Sequence, residues 1–205
     1  MAKLYFRYGT VSSAKSLNLL AVVHNYQMQN KKVLLIKPKI DDRYGKNIVR
    51  SRAGLEKKAD LLVDEESHKT VPMSLFEGAS CVVVDEAQFL DATFIDLLRS
   101  ISLELNIPVI CYGLRTDFRR NLFAGSRRLL ELADAIEEVK TVCNYCNSKA
   151  VYNLKLLNGN PTTEGPQIEL GAEESYLPVC GNHYEMQFAD YSDVDADTTD
   201  FSMVH

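Results

Sequence analysis

The stretch Arg7-Tyr8-Gly9-Thr10-Val11-Ser12-Ser13-Ala14-Lys15-Ser16-Leu17 constrains the fold more than any other part of the chain. A short apolar run, Leu4-Tyr5-Phe6, leads into it. A helical pattern with Leu17, Leu20, Ala21 and His24 on one face begins near Lys15. Strand, small-residue loop, Lys-Ser and helix is the order that a phosphate-binding loop requires. The spacing G-x-x-x-x-G-K-[ST] is met at Gly9, Lys15 and Ser16, with Ala14 in place of the second glycine. In such a loop the backbone N–H groups of Gly9, Thr10, Val11, Ser12, Ser13 and Ala14 curl around phosphate oxygens. The helix N-terminus adds partial positive charge, Lys15 reaches the β/γ oxygens and Ser16 ligates Mg²⁺. One glycine short, the motif alone is equally compatible with an ordinary strand–helix turn, so the rest of the chain has to decide.

The remaining pattern is that of an α/β protein. Val33-Leu34-Leu35-Ile36, Cys81-Val82-Val83-Val84 and Val109-Ile110-Cys111-Tyr112-Gly113 are continuous apolar runs, as expected of parallel strands buried on both faces. The spacing predicts helices from Lys15 to about Asn30, from Asp91 (whose side chain can cap it) through Phe94, Leu98 and Ile101, and from Gly125 through Leu132. A short strand is expected at 60–63, a short helix or turn at 71–76 and a strand at 135–141. Residues 40–56, polar and aperiodic, read as a mobile loop at the carboxyl end of the second strand, where α/β sheets bind ligands. This alternation predicts an open, mostly parallel sheet with helices on both faces. After Val142 the character changes to strand-like stretches at 150–156 and 167–170, separated by Gly- and Pro-rich turns, with a short helix ending near Phe188. The organisation expected is a main domain over 1–142, a small lobe over 143–188 and an acidic, disordered tail over 189–205.

Composition excludes several classes. No apolar run approaches 18 residues, so no membrane span is expected. The chain has 23 Lys plus Arg against 28 Asp plus Glu. The tail aspartates 190, 193, 195, 197 and 200 account for that whole imbalance, so the body is charge-balanced and lacks a broad nucleic-acid footprint. Met1-Ala2-Lys3-Leu4 runs directly into a strand with no leader pattern, and cytoplasmic placement is expected. Cys81 and Cys111 fall inside strands and read as inert core thiols, and His24, His68 and His205 as surface or packing residues.

Three further constellations carry chemistry. Asp85-Glu86 ends the most apolar strand, the position at which P-loop proteins place a carboxylate for Mg²⁺ or its water shell. Asp85 takes that role, and Glu86 can act as general base on a hydroxyl or water. Cys143-x-x-Cys146 and Cys180-x-x-His183 supply four ligands in two tight pairs, a pattern that favours a tetrahedral structural Zn²⁺ with no position left for a catalytic water. Residues 114–123 combine arginines with Phe118 and Phe123, able to complement phosphate and line a slot for a flat ring.

Taken together, the residues from about 3 to 188 resemble the type II, cytosolic-type thymidine kinases, nearest to the branch of enteric bacteria. The resemblance rests on the loop 9–16, Asp41-Asp42-Arg43-Tyr44, Val84-Asp85-Glu86-Ala87-Gln88-Phe89, Cys111-Tyr112-Gly113-Leu114-Arg115-Thr116-Asp117-Phe118, the two zinc pairs and Gly171-Ala172-Glu173-Glu174-Ser175-Tyr176. The fold it implies is a P-loop (RecA-like) α/β domain plus a small zinc-stabilised lobe carrying a lasso loop, about 157–178, that closes over the base. The activity it implies is transfer of the ATP γ-phosphoryl group to the 5′-hydroxyl of thymidine or deoxyuridine, with Glu86 as general base. Carried over by position, Arg43 and Gln88 join the phosphate side. Ser16, Asp85 and Asp41 lie around Mg²⁺. Val11, Phe89, Leu114, Phe118, Phe123 and Tyr176 line the thymidine site. The resemblance also implies a homotetramer inhibited by dTTP. Two positions depart from the pattern. Val11 stands where Met is frequent, and Ala14 puts a Cβ beside the phosphates, harmless only if its φ is negative. A raised ATP KM is the expectation. The competing readings are a P-loop ATPase or helicase-like protein, from Asp-Glu-Ala-Gln, and a nucleotide-binding module weakened by Ala14.

Overall fold

Apolar runs without polar interruption cannot leave either strand face in water, and the chain buries them in one sheet between two helical layers. The computed structural model describes residues 1–168 and 176–192. In chain order the main elements are β1 (Leu4–Tyr8), α1 (Lys15–Met28), β2 (Val33–Pro38), β3 (Ile48–Arg50), β4 (Glu56–Lys58), β5 (Leu61–Val63) and α2 (Ser67–Thr70). There follow a 3₁₀ turn (Met73–Phe76), β6 (Cys81–Val84), a second 3₁₀ turn (Ala87–Phe89), α3 (Ala92–Glu104), β7 (Val109–Gly113), α4 (Ala124–Leu132) and β8 (Ala135–Glu138). The lobe consists of β9 (Tyr152–Leu157), β10 (Asn160–Thr162), β11 (Tyr176–Val179) and α5 (Gly181–Ser192).

The main sheet has the order β5-β2-β6-β7-β1-β8. All of its pairings are parallel. Phe94, Ile95, Leu98 and Ile101 of α3 and Leu129 of α4 pack on one face, over Leu4, Phe6, Val82 and Val84. On the other face Leu19, Leu20 and Val23 of α1 pack with Val33, Leu35, Cys81, Val83 and Tyr112. Asp91 caps α3 as its type and position predict, its Oδ1 accepting from Phe94 N at 2.8 Å. Burial raises both core thiols, Cys81 to about 11 and Cys111 higher still, which keeps them unreactive.

Several expectations need correction. The buried face of α1 is Leu19, Leu20 and Val23, while Ala21 and His24 are exposed and Leu17 is half-buried. Lys15 must point back into the loop, and that sets the rotation of the helix. Within 40–56 the chain is not all loop: β3 and β4 form an antiparallel hairpin, Ile48 opposite Lys58 and Arg50 opposite Glu56. Its Val49 is 1% exposed, and a single anchoring residue leaves no periodicity to read. In the lobe β9 is the centre of an antiparallel sheet β10-β9-β11, so residues 160–162 are strand rather than turn, and β11 was not foreseen. Of the strand expected at 167–170, residues 169 and 170 lie outside the described residues. Helix α5 starts at Gly181 and continues to Ser192, beyond the expected end near Phe188. Residues 193–205 and His205 also lie outside the described residues.

Candidate active site

The loop after β1 opens beside the carboxyl ends of β7 and β6. Gly9 N donates to Gly113 O at 3.2 Å, tying loop to sheet. Glycine is required at position 9: a Cβ there would lie 2.4 Å from Ser13 Oγ and 2.5 Å from Val139 O. Lys15 is buried and folds back on its own loop, its Nζ donating to Thr10 O at 2.6 Å and Gly9 O at 3.1 Å. Two loop residues without glycine's freedom take the left-handed conformation, Ser12 at φ 61 and Ala14 at φ 64. The negative φ that would make Ala14 harmless is therefore not what the chain adopts; the curl of the loop imposes the left-handed well, and an L-residue is strained there.

Facing the loop, Asp85 and Glu86 leave the end of β6. Ser16 Oγ lies 3.5 Å from Asp85 Oδ1, so the helix start and the strand end meet where one cation can reach both. Glu86 is also left-handed, at φ 48 and ψ 41, a second local strain that the surrounding contacts hold in place. Arg43 donates to its Oε1, and Gln88 Nε2 donates to its Oε2 at 2.5 Å. The other end of the Gln88 amide accepts from Leu114 N at 3.0 Å. Gly113 makes room for this amide, since a Cβ there would lie 2.6 Å from Gln88 Oε1. The two adjacent carboxylates are pushed apart. Burial, then the charges of Glu86 and Asp41, raise Asp85 to about 7. Burial also raises Glu86, but Arg43, Lys15 and Gln88 together outweigh it and hold it below its ordinary value.

On the far side of Glu86 the cleft becomes aromatic. Phe89 and Phe123 pack edge to face at 5.9 Å. Phe118 and Tyr176 lie 6.2 Å apart. Asp117 shapes residues 114–123, its Oδ1 accepting from Arg119 N and Asn121 N at 2.9 and 2.8 Å. The described part of the lasso is pinned to this loop. Gln167 Nε2 donates to Asp117 Oδ2 at 2.9 Å, and Arg119 donates to Gly165 O. Lys155 Nζ donates to Glu164 O at 3.2 Å and lies over the Phe118 ring at 4.9 Å. Residues 171–175 of the expected base-reading motif lie outside the described residues.

One cavity of about 330 Å³ runs from Ser13, Ala14, Lys15 and Ser16 past Asp41, Arg43, Asp85 and Glu86 to Phe89, Leu114, Phe118, Phe123 and Tyr176. Val11, Ser12 and Gln88 line it too, whereas Gly9 and Thr10 lie beneath the loop surface. Gln88 meets Glu86 and Leu114 with its two amide ends, so its contacts are on the carboxylate and base side rather than on the phosphate loop. Asn153 was missed in the sequence. From β9 it accepts from Val11 N at 2.9 Å and donates to Thr116 O at 3.3 Å, joining the lobe to the phosphate loop. A lone Asn in an alternating strand carries no motif by which to find it.

In the lobe, the ligand atoms of Cys143, Cys146, Cys180 and His183 all lie within 4.8 Å of one another. Cys146 Sγ and Cys180 Sγ are 3.9 Å apart, too far for a disulfide. Cys143 Sγ and Cys180 Sγ lie 3.6 and 3.3 Å from His183 Nδ1. Tetrahedral Zn²⁺ with ~2.3 Å bonds to sulfur separates its sulfurs by about 3.8 Å, so the four residues fit the ion. Burial raises the Cys143 thiol, but N–H groups of Cys180, Tyr145 and Cys146 outweigh it and bring it down to about 6, ready to ligate as thiolate. The core around the site is small, with Leu154, Val179 and Tyr184 as its buried neighbours.

A strand–loop–helix turn with Lys15-Ser16 at the helix start, the buried Asp85-Glu86 pair at the end of β6 and an aromatic slot beside them are the features of a P-loop phosphotransferase. The chain belongs to the thymidine kinase family, whose model, "Thymidine kinase", matches residues 2–184. It is 44% identical over 184 residues to the thymidine kinase of Streptococcus pyogenes serotype M3 (strain ATCC BAA-595 / MGAS315), covering 90% of this chain and 97% of that one. The thymidine kinase of Lactococcus lactis subsp. lactis (strain IL1403) is 45% identical with the same coverage. That of Lactiplantibacillus plantarum (strain ATCC BAA-793 / NCIMB 8826 / WCFS1) is 44% identical, with 90% and 96% covered. Among solved structures, the Pif1 helicase from Candida albicans overlaps at a TM-score of 0.42 and 11% identity, over 67% of this chain and 36% of that one, too slight a likeness to bear on function.

Proposed function

We propose that this chain transfers the γ-phosphoryl group of ATP to the 5′-hydroxyl of thymidine, and of deoxyuridine, giving the nucleoside monophosphate and ADP. One observation carries the reading: the Glu86 carboxylate stands where the phosphate loop meets the aromatic slot, gripped from one side by Arg43 and from the other by Gln88. A sugar with its ring between Phe89 and Tyr176 and its base against Phe118 and Leu114 would present its 5′-end to that carboxylate. Held below its ordinary pKa, Glu86 is ionised and able to accept the hydroxyl proton. Lys15 would leave its loop carbonyls for the β/γ phosphates, and Arg43 would steady the phosphate being transferred. Ser16 and Asp85, with Asp41 beside them, would hold Mg²⁺, which neutralises charge on the phosphates when bound. The lasso would close the base end, and Zn²⁺ on Cys143, Cys146, Cys180 and His183 would fix both of its roots. A main domain over 1–142 with the lobe appended is part of this reading. Cytoplasmic placement, a homotetramer, inhibition by dTTP and the enteric-bacterial branch are supported by the resemblance alone.

A coupled assay of ADP release with ATP, Mg²⁺ and no nucleoside, thymidine, deoxyuridine or deoxycytidine tests the proposal. Release that depends on thymidine is expected. Release without any nucleoside would mean an ATPase, and none under any condition a binding module.

A further inference from the structure

Lys37 is a cation with none of its side chain exposed, placed on β2 behind the cleft rather than in its lining. Its Nζ lies 3.3 Å from Asp41 Oδ2 and donates to Ile48 O at 2.6 Å and Gly45 O at 3.4 Å. One ammonium thus gathers the beginning and the end of the 39–47 loop onto a single point. The other oxygen of Asp41, Oδ1, accepts from Arg43 Nε at 2.6 Å, and the outer nitrogen of Arg43 donates to Glu86. Lys37, Asp41, Arg43 and Glu86 therefore form a chain of alternating charge that starts in the core and ends at the carboxylate facing the substrate.

A buried ion pair is a weak source of stability, because desolvating an ammonium and a carboxylate offsets much of their attraction. Apolar side chains in those places would serve the fold as well. An apolar group could not fix three acceptors in one geometry or offset the third negative charge beside Asp85 and Glu86. If Lys15 moves to the phosphates, Arg43 and Lys37 still face those carboxylates, Arg43 against Asp41 and Glu86 and Lys37 against Asp41.

We propose that Lys37 is a positioning residue for phosphoryl transfer: through Asp41 it sets the place of Arg43, and through Arg43 the orientation of Glu86. The proposal rests on the reading of Arg43 and Glu86 given above. It touches neither substrate, so its removal acts on turnover rather than on thymidine binding. Lys37→Met is expected to lower kcat by roughly 10- to 100-fold, the scale of a misplacement of about 1 Å, while the KM for thymidine stays within about threefold. Since Lys37 acts through Arg43, the losses do not multiply: Lys37→Met/Arg43→Gln should turn over within about twofold of Arg43→Gln alone. Lys37→Gln, with a shorter and neutral donor, serves if the Met variant does not fold, and the melting temperature of each variant is measured alongside. Wild-type kcat in Arg43→Gln would sink the site reading itself. A slow Arg43→Gln accompanied by normal turnover at position 37, by losses that multiply, or by failure of both Lys37 variants to fold, would overturn the role of Lys37 and leave the site reading standing.

Discussion

Replacing Ala14 by glycine should make this protein more stable, although glycine in the interior of a helix ordinarily does the reverse. Ala14 precedes α1 at φ 64 and ψ 23. An L-residue in that region is disfavoured by about 1–2 kcal/mol because its Cβ crowds the following carbonyl, and glycine removes that cost. Glycine also loosens the unfolded chain, which returns about 0.4–1 kcal/mol. The middles of the two ranges leave a net stabilisation of about 0.8 kcal/mol, which for a chain of this size is a rise in Tm of about 2–3 °C. No side-chain cap is lost, because Ala14 makes none. Thermal unfolding followed by circular dichroism, without nucleotide, reads the effect. Ala14→Val is the opposite control, since a β-branched residue at positive φ should lower Tm. An unchanged or lower Tm for Ala14→Gly would refute the strain argument. The same variant tests the second consequence of Ala14, crowding of the phosphates: the ATP KM should fall, and an unchanged value would show that the methyl group stands clear of the nucleotide.

Three other outcomes are expected. Glu86→Gln should bind ATP as the parent does, by equilibrium titration, but lose about 10²–10⁴-fold in kcat; parental turnover would remove Glu86 from the chemistry. Metal analysis should find about one zinc per chain, and chelation or Cys146→Ser should unfold the lobe first, because its own core is small; a metal-free lobe with native protection from hydrogen exchange would contradict the zinc assignment. Asn153→Ala leaves Val11 N–H and Thr116 O without their partner and should cost about 1–3 kcal/mol together with a higher ATP KM; an unaltered ATP KM would mean that the phosphate loop holds its shape without the lobe.

The parts legible in the sequence are those with a local chemical signature. Buried parallel strands appear as runs such as Cys81-Val82-Val83-Val84, and a cap as Asp91 three residues before Phe94. The Cys₃His cluster appears as the pairs Cys143-x-x-Cys146 and Cys180-x-x-His183, and the loop after β1 as Lys15-Ser16 following a glycine. What was not legible depends on partners distant in the chain. The hairpin of β3 and β4 is anchored by one buried valine. Strand β11 pairs with β9 across the lasso and has no alternation of its own, its first three residues all half-buried. The burial of Lys37 at the end of an apolar strand could be suspected from its place after Ile36, but its three acceptors are brought there by a loop that has no pattern. Helix α1 shows the same limit from another side: its apolar residues are spread around the axis, and the pull of Lys15 into the loop selects the face.

The amide of Gln88 has a consequence for redesign. Because one planar group holds the base-side strand end at Leu114 and the carboxylate at Glu86, any change that widens the slot from the β7 side shifts the glutamate as well. Variants meant to admit bulkier bases should therefore be sought across the cleft, at Tyr176 on β11, whose ring packs against Phe118, with Asn153 left in place to hold the lobe to the phosphate loop. Selection for broader substrate range would be expected to accumulate changes on the lobe wall, while Gly113, Leu114 and Gln88 stay as they are.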